Sequence, residues 1–171
     1  MKTRLANIKL LLLDVDGVLT DGGITYSDTG DQIKTFHSRD GFGIRLLMDS
    51  GIQVGIITGR KSKALEYRCE NLGITLLFAG IKDKLNAFDK ITSQTGIMPE
   101  QIAFVGDDLM DLPVMKRVGV SFCVPDACQE VKTHSDIITK QKAGHGAVRE
   151  ICEVILKAKN VWDDILNKYL S

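Results

Sequence analysis

Four stretches of the 171-residue chain carry side chains able to do chemistry on a small anion: Asp14-Val15-Asp16-Gly17, Thr58-Gly59-Arg60, Lys84, and Gly106-Asp107-Asp108 with Asp111 one turn further on. Each is weak alone. An Asp-x-Asp is usually a turn or a solvated pair, and a Gly-Asp-Asp is usually a helix N-cap. Taken together they supply carboxylates that can act as nucleophile, acid, base or hard cation ligand, a hydroxyl donor and an ammonium. A basic set, Arg39, Arg45, Arg60 and Arg68, accompanies them. Arg60 and Arg68 are eight apart, about two helical turns, and so share a face. Solvated surface charge explains any one of them. Arginine forks suit carboxylate and phosphate oxygens, so a ligand bearing both explains the set.

The elements that must position these residues follow from short apolar runs. Ile8–Leu13, Val54–Ile57, Leu76–Phe78, Ile102–Val105, Val120–Val124 and a weaker Ile137-Ile138 end in Gly, Asp, Thr or Pro, and read as buried strands. Helical patterns lie between them at Gly41–Met48, Ser62–Asn71, Lys84–Gln94, Leu109–Arg117 and Ala127–Lys132. This alternation predicts an α/β fold, a Rossmann-like parallel sheet flanked by helices. Ligands of such sheets bind beyond the carboxyl ends of the strands, which is where the four stretches fall. Residues 24–36 read as an inserted β-hairpin around Thr29-Gly30-Asp31, and residues 146–171 as a helical tail. With no repeat, low-complexity tract or linker, the expectation is a single domain over 1–171.

Composition narrows the class. Lys plus Arg and Asp plus Glu both number 22, so the net charge is zero, which gives no support to a nucleic-acid or anionic-membrane binder. No apolar run approaches the roughly 20 residues of a membrane helix. The N-terminal apolar run is short and ends in acidic residues, unlike a signal peptide. The cysteines, Cys69, Cys123, Cys128 and Cys152, form no CxxC pair and read as free thiols of a cytoplasmic protein.

The ordered set DxDG, Thr, Lys, GDD over Asp14–Asp111 resembles the haloacid dehalogenase superfamily of phosphohydrolases. The resemblance implies that Asp14 is the nucleophile, giving an aspartyl phosphate, and that Asp16 protonates the leaving oxygen and then activates water. It implies that Thr58 and Lys84 hold the phosphoryl group. Mg²⁺ would be held by Asp14, Asp107 and the backbone carbonyl of Asp16. Asp108 would support the metal or Lys84, or simply cap a helix. Many members carry a cap domain. Here Asp14 and Thr58 are 44 residues apart and Thr58 and Lys84 are 26 apart, which leaves no room for one.

FHSRDGFGIRLLMDSGIQVGIITGRKSKALEYRCENLGI and GHGAVREICEVIL are more narrowly similar to a capless branch of that superfamily. The branch is Mg²⁺-dependent and homotetrameric, and removes phosphate from an eight-carbon 3-deoxy sugar acid in lipopolysaccharide precursor synthesis. The resemblance implies substrate contacts from Asp16, His37, Ser38, Arg39, Asp40, Gly41, Arg45, Arg60, Arg68 and Lys84. Ser38 stands where the branch usually has an aliphatic residue and His145 where it has Arg or Lys, while WDDILNKYLS shows no clear counterpart. Two alternatives stay open: a phosphatase of a nine-carbon sugar-acid phosphate, and a catalytically silent, phosphatase-like oligomerisation module.

Overall fold

The structure, a computed structural model, describes residues 1–170. A short helix, α1 (Lys2–Ala6), leads into β1 (Leu10–Leu13), whose four leucines are all buried. The hairpin β2 (Thr25–Tyr26) and β3 (Gln32–Ile33) follows, then α2 (Ser38–Asp49). Strands and helices then alternate through β4 (Gln53–Thr58), α3 (Lys63–Leu72), β5 (Leu76–Ala79), α4 (Lys84–Thr95), β6 (Ile102–Gly106), α5 (Leu112–Met115), β7 (Val120–Cys123), α6 (Gln129–His134) and β8 (Ile137–Ile138). Two helices close the chain, α7 (Ala147–Ala158) and α8 (Trp162–Leu170).

The main sheet is parallel, in the order β5-β4-β1-β6-β7-β8. The chain builds outward from β1 to β5, then returns to lay β6 on the other side of β1 and builds outward again. That reversal opens a crevice at the carboxyl ends of β1 and β6, the usual ligand position of such sheets. Side chains of β1 alternate between the two faces. Leu11 and Leu13 pack with Ile44, Leu65 and Ile151 beneath α2, α3 and α7, whereas Leu10 and Leu12 pack with Phe88, Val114 and Val131 beneath α4, α5 and α6. Burial on both faces is why the strands read as unbroken apolar runs.

The differences from expectation are local. β1 starts at Leu10, two residues late, although Ile8 is buried and Lys9 already exchanges backbone bonds with Gln101 and Gln53. The hairpin pairs only two residues per strand. The helix expected over Leu109–Arg117 is a 3₁₀ turn, Leu109–Asp111, followed by the single turn α5. Pro113 supplies no N–H there, and Asp111 turns its side chain back onto the preceding loop. The helix α1 buries only Leu5 and so carries no periodic apolar signal in the sequence.

Candidate active site

The carboxyl ends of β1, β4 and β6 and the start of α4 enclose a cavity of about 260 Å³. Asp14, Asp16, Thr58, Arg60, Lys84 and Asp107 all line it. Asp14 directly follows β1, and its N–H donates to the Val105 carbonyl at 3.0 Å, so the sheet ladder fixes its backbone. Thr58 is the last residue of β4 and is buried. Lys84 opens α4 behind the N-cap Asp83, whose carboxylate accepts the N–H groups of Leu85 and Asn86.

Lys84 is buried, and its ammonium lies 2.6 Å from Asp111 Oδ1 and 3.0 Å from Asp14 Oδ1. Asp111 Oδ2 accepts the N–H groups of Asp107 and Asp108 at 3.0 and 3.2 Å. Asp111, which spacing placed near the site without a role, therefore ties Lys84 to the loop after β6. Asp108 borders the cavity, and its carboxylate accepts the Leu109 N–H at 2.8 Å as a cap does.

Carboxylate oxygens of Asp14, Asp107 and Asp111 lie within 4.8 Å of one another. Burial, reinforced by the charges of Asp14 and Asp111, pushes the Asp107 carboxyl up to about 8. Burial also pushes Asp14 up to about 6 in spite of Lys84. Burial alone would lower Lys84, but Asp14 and Asp111 more than offset it and its pKa is raised. Three carboxylates thus share one ammonium, a cluster short of positive charge. Since Asp111 is already engaged through both oxygens, Asp14 and Asp107 are the donors left for a hard divalent cation, and the donor set fits Mg²⁺.

Gly17 is required beside them. Its φ is +85°, and a Cβ there would sit 2.1 Å from Asp107 Oδ2. Gly17→Ala is expected to displace the Asp107 carboxylate and lower turnover by about 10²-fold or more, as misplacement of about 1 Å does. A turnover assay at saturating Mg²⁺ beside a thermal melt checks this, since only loss of turnover in a folded protein fits displacement.

The other expected residues lie elsewhere. Among the described residues, Arg60 is the only one of the four arginines bordering the cavity, with Nε 3.7 Å from Asp16 Oδ2. Arg68 donates to the His37 carbonyl at 3.2 Å and lies over the Phe36 ring. Gly41 leaves room for that guanidinium, because a Cβ there would sit 2.3 Å from Arg68 Nη2. Arg45 donates to the Asn71 carbonyl at 2.6 Å. Asp40 is turned into the protein, where its Oδ1 accepts the Arg149 N–H at 2.8 Å and caps the first turn of α7 from α2. Ser38 and Arg39 are exposed, and Arg39 lines a second cavity of about 470 Å³ with Lys140, His145 and Arg149. The His37 and His145 rings meet edge to face at 6.5 Å. In one chain, then, His37 to Gly41, Arg45 and Arg68 form a flank around α2 and are not gathered at the Asp14 cavity. Lys34 does not line that cavity but contacts a residue that does: its ammonium meets Asp16 Oδ1, a pairing that no sequence spacing signals.

A parallel sheet with two aspartates after its central strand, and a lysine and a third aspartate facing them, is the arrangement the resemblance to the haloacid dehalogenase-like hydrolases implied. The haloacid dehalogenase-like hydrolase family matches residues 79–151, a range that holds Lys84, Asp107 and Asp111 but not Asp14 or Asp16. The chain is 49% identical to 3-deoxy-D-manno-octulosonate 8-phosphate phosphatase of Escherichia coli K12 over 92% of its own length and 84% of that protein. It superposes with a TM-score of 0.96, at 41% identity and covering 98% and 97% of the two chains, on the Moraxella catarrhalis phosphatase of that name, solved with magnesium, phosphate and the 3-deoxy sugar acid. A probable phosphatase of Pseudomonas syringae matches with a TM-score of 0.97 at 44% identity, covering 99% of this chain and 97% of that one. The likeness therefore extends into α8, which in sequence had shown no clear counterpart. The chain belongs to the 3-deoxy-D-manno-octulosonate 8-phosphate phosphatase family of haloacid dehalogenase-like hydrolases.

Proposed function

We propose that the chain is a Mg²⁺-dependent phosphatase that hydrolyses 3-deoxy-D-manno-octulosonate 8-phosphate through a phospho-Asp14 intermediate. The observation that carries this is the convergence of Asp14, Asp16, Thr58, Lys84 and Asp107 on one cavity in a chain with that parentage. Asp14 Oδ attacks phosphorus while Asp16 protonates the sugar oxygen that leaves; Asp16 then takes a proton from the water that releases Asp14. Thr58 donates its hydroxyl to a phosphoryl oxygen, and Lys84 stabilises the charge that develops there. Asp14, Asp107 and the Asp16 carbonyl hold Mg²⁺, which when bound offsets the repulsion between a carboxylate and a phosphate.

The active form in this reading is a homotetramer. Ile24, Tyr26 and Ile33 expose apolar surface on the hairpin, and Arg39, Arg45 and Arg68 need a second copy to approach a substrate carboxylate. No helix among the described residues is long and apolar enough to cross a membrane, and the free thiols fit a cytoplasmic enzyme. The test is turnover of the purified protein on the eight-carbon 8-phosphate and a nine-carbon sugar-acid 9-phosphate. The eight-carbon ester is expected to win by at least about tenfold in kcat/KM, a difference of about 1.4 kcal/mol in transition-state binding. Preference for the nine-carbon ester would reassign the substrate, and inactivity on both would make the chain a silent module.

A further inference from the structure

Lys34 lies just after β3, at the root of the hairpin. Although the hairpin stands out from the sheet, the Lys34 side chain is only 5% exposed, and its ammonium contacts Asp16 Oδ1. The second Asp16 oxygen faces Arg60 Nε at 3.7 Å. Asp14 is held by Lys84 and by a backbone bond within the sheet, and Asp111 by Lys84 and two backbone N–H groups. Asp16 is held differently, by two cationic side chains from separate parts of the chain, Lys34 from the root of the hairpin and Arg60 from the loop after β4. Of these Arg60 is half exposed, so it holds its position loosely, whereas Lys34 is enclosed.

We propose that Lys34 is a positioning residue for Asp16. It fixes the rotamer in which that carboxyl faces the leaving oxygen, and so transmits order in the hairpin to the acid–base step. This rests on the phosphatase reading above. In the first half-reaction a bond forms from Asp14 Oδ to phosphorus, the bond from phosphorus to the ester oxygen breaks, and that oxygen takes the Asp16 proton. In the second, Asp16 takes a proton from water, the water oxygen bonds phosphorus, and the bond to Asp14 breaks. Both proton transfers require the carboxyl within hydrogen-bond reach of a small target. A two-residue-per-strand hairpin is too small to be rigid by itself. Its apolar Ile24, Tyr26 and Ile33 are exposed in the single chain, so a neighbouring copy that covers them also settles Lys34. Assembly then affects chemistry within the same subunit, separately from any residue the neighbour contributes to the substrate.

The test uses the full-length, Mg²⁺-loaded enzyme carrying Lys34→Met, which keeps the apolar stem, and Lys34→Arg, which restores the cation. Substrates are p-nitrophenyl phosphate, whose leaving group needs little protonation, phenyl phosphate, and a simple alkyl phosphate. Lys34→Met is expected to lower kcat/KM on the phenyl and alkyl esters by at least about tenfold, part of the 10²–10⁴ that a positioned acid contributes. The p-nitrophenyl ester should lose no more than about threefold, and Lys34→Arg should recover most of the difference. A crystal structure of Lys34→Met is expected to show the Asp16 carboxylate rotated away from its wild-type position. Equal losses on all three esters, or an unmoved Asp16, would overturn the proposal. A wild-type protein inactive on every ester counts against the phosphatase reading instead, and the placement of Asp16 in the variant then decides the positioning role by itself.

Discussion

Asp14→Asn is expected to leave a folded protein whose turnover of any phosphate ester falls by at least about 10³-fold, and up to the roughly 10⁶-fold that loss of a nucleophile costs other covalent enzymes. The amide keeps the shape and the backbone bond to Val105. Its carbonyl oxygen lacks the negative charge that makes a carboxylate attack phosphorus, and it is a poorer ligand for a hard cation. The variant should be no less stable than the wild type, because the substitution removes a carboxylate that burial already holds up at about 6, while Asp111 still pairs Lys84. A chromogenic phosphate assay and a thermal melt on the same preparation check both halves. Activity within tenfold of wild type would mean that another residue makes the covalent bond.

The position of Asp14 was readable because strand ends are local signals. An apolar run closed by Asp-x-Asp-Gly places both carboxylates at a strand's carboxyl end, and the parallel order of β4, β1 and β6 brings Thr58 and Asp107 to the same edge. Lys84 needed one further step, the capped start of α4. What spacing does not reveal is which side chain turns inward once a loop has closed. Asp108 and Asp111 differ by one turn and have the same chemistry, yet Asp108 caps and Asp111 grips Lys84. Arg60 and Arg68 share a helical period, but Ser62 caps α3 and leaves Arg60 in the loop at the cavity, while Arg68 packs on Phe36. Asp40 looked like a ligand in a charged loop. Its partner, the Arg149 N–H, is 109 residues away, and no local pattern encodes so distant a cap. The same distance argument hides Lys34, which meets Asp16 from 18 residues further along the chain, across the whole hairpin.

In excess chelator, stability is expected to fall as pH rises from about 4 to about 8, and Mg²⁺ should flatten that slope. Asp107 and Asp14 have folded-state pKa values of about 8 and about 6, against the ordinary 3.8. An acid raised in this way holds its proton in the folded state where the unfolded chain has lost it, so the folded state binds more protons over that window. Each pH step upward then favours unfolding, through about pH 6 for Asp14 and about pH 8 for Asp107, and the effect is absent below pH 4 where both states are protonated. A divalent cation binds the ionised carboxylates of the folded state alone, which reverses the penalty. Lys84→Met should steepen the slope, since it removes the single ammonium shared by Asp14 and Asp111. Breaking a buried pair in this way costs about 3–5 kcal/mol where the carboxylates remain charged, and less near pH 5 where protons substitute for the lysine. Urea unfolding of wild type and Lys84→Met at pH 5 and pH 8, with chelator or with Mg²⁺, gives the four slopes. A wild-type protein that is more stable at pH 8 than at pH 5 in chelator would show that Asp14 and Asp107 are not held in a charge-poor cluster, and the assignment of that cluster to a cation would fail with it.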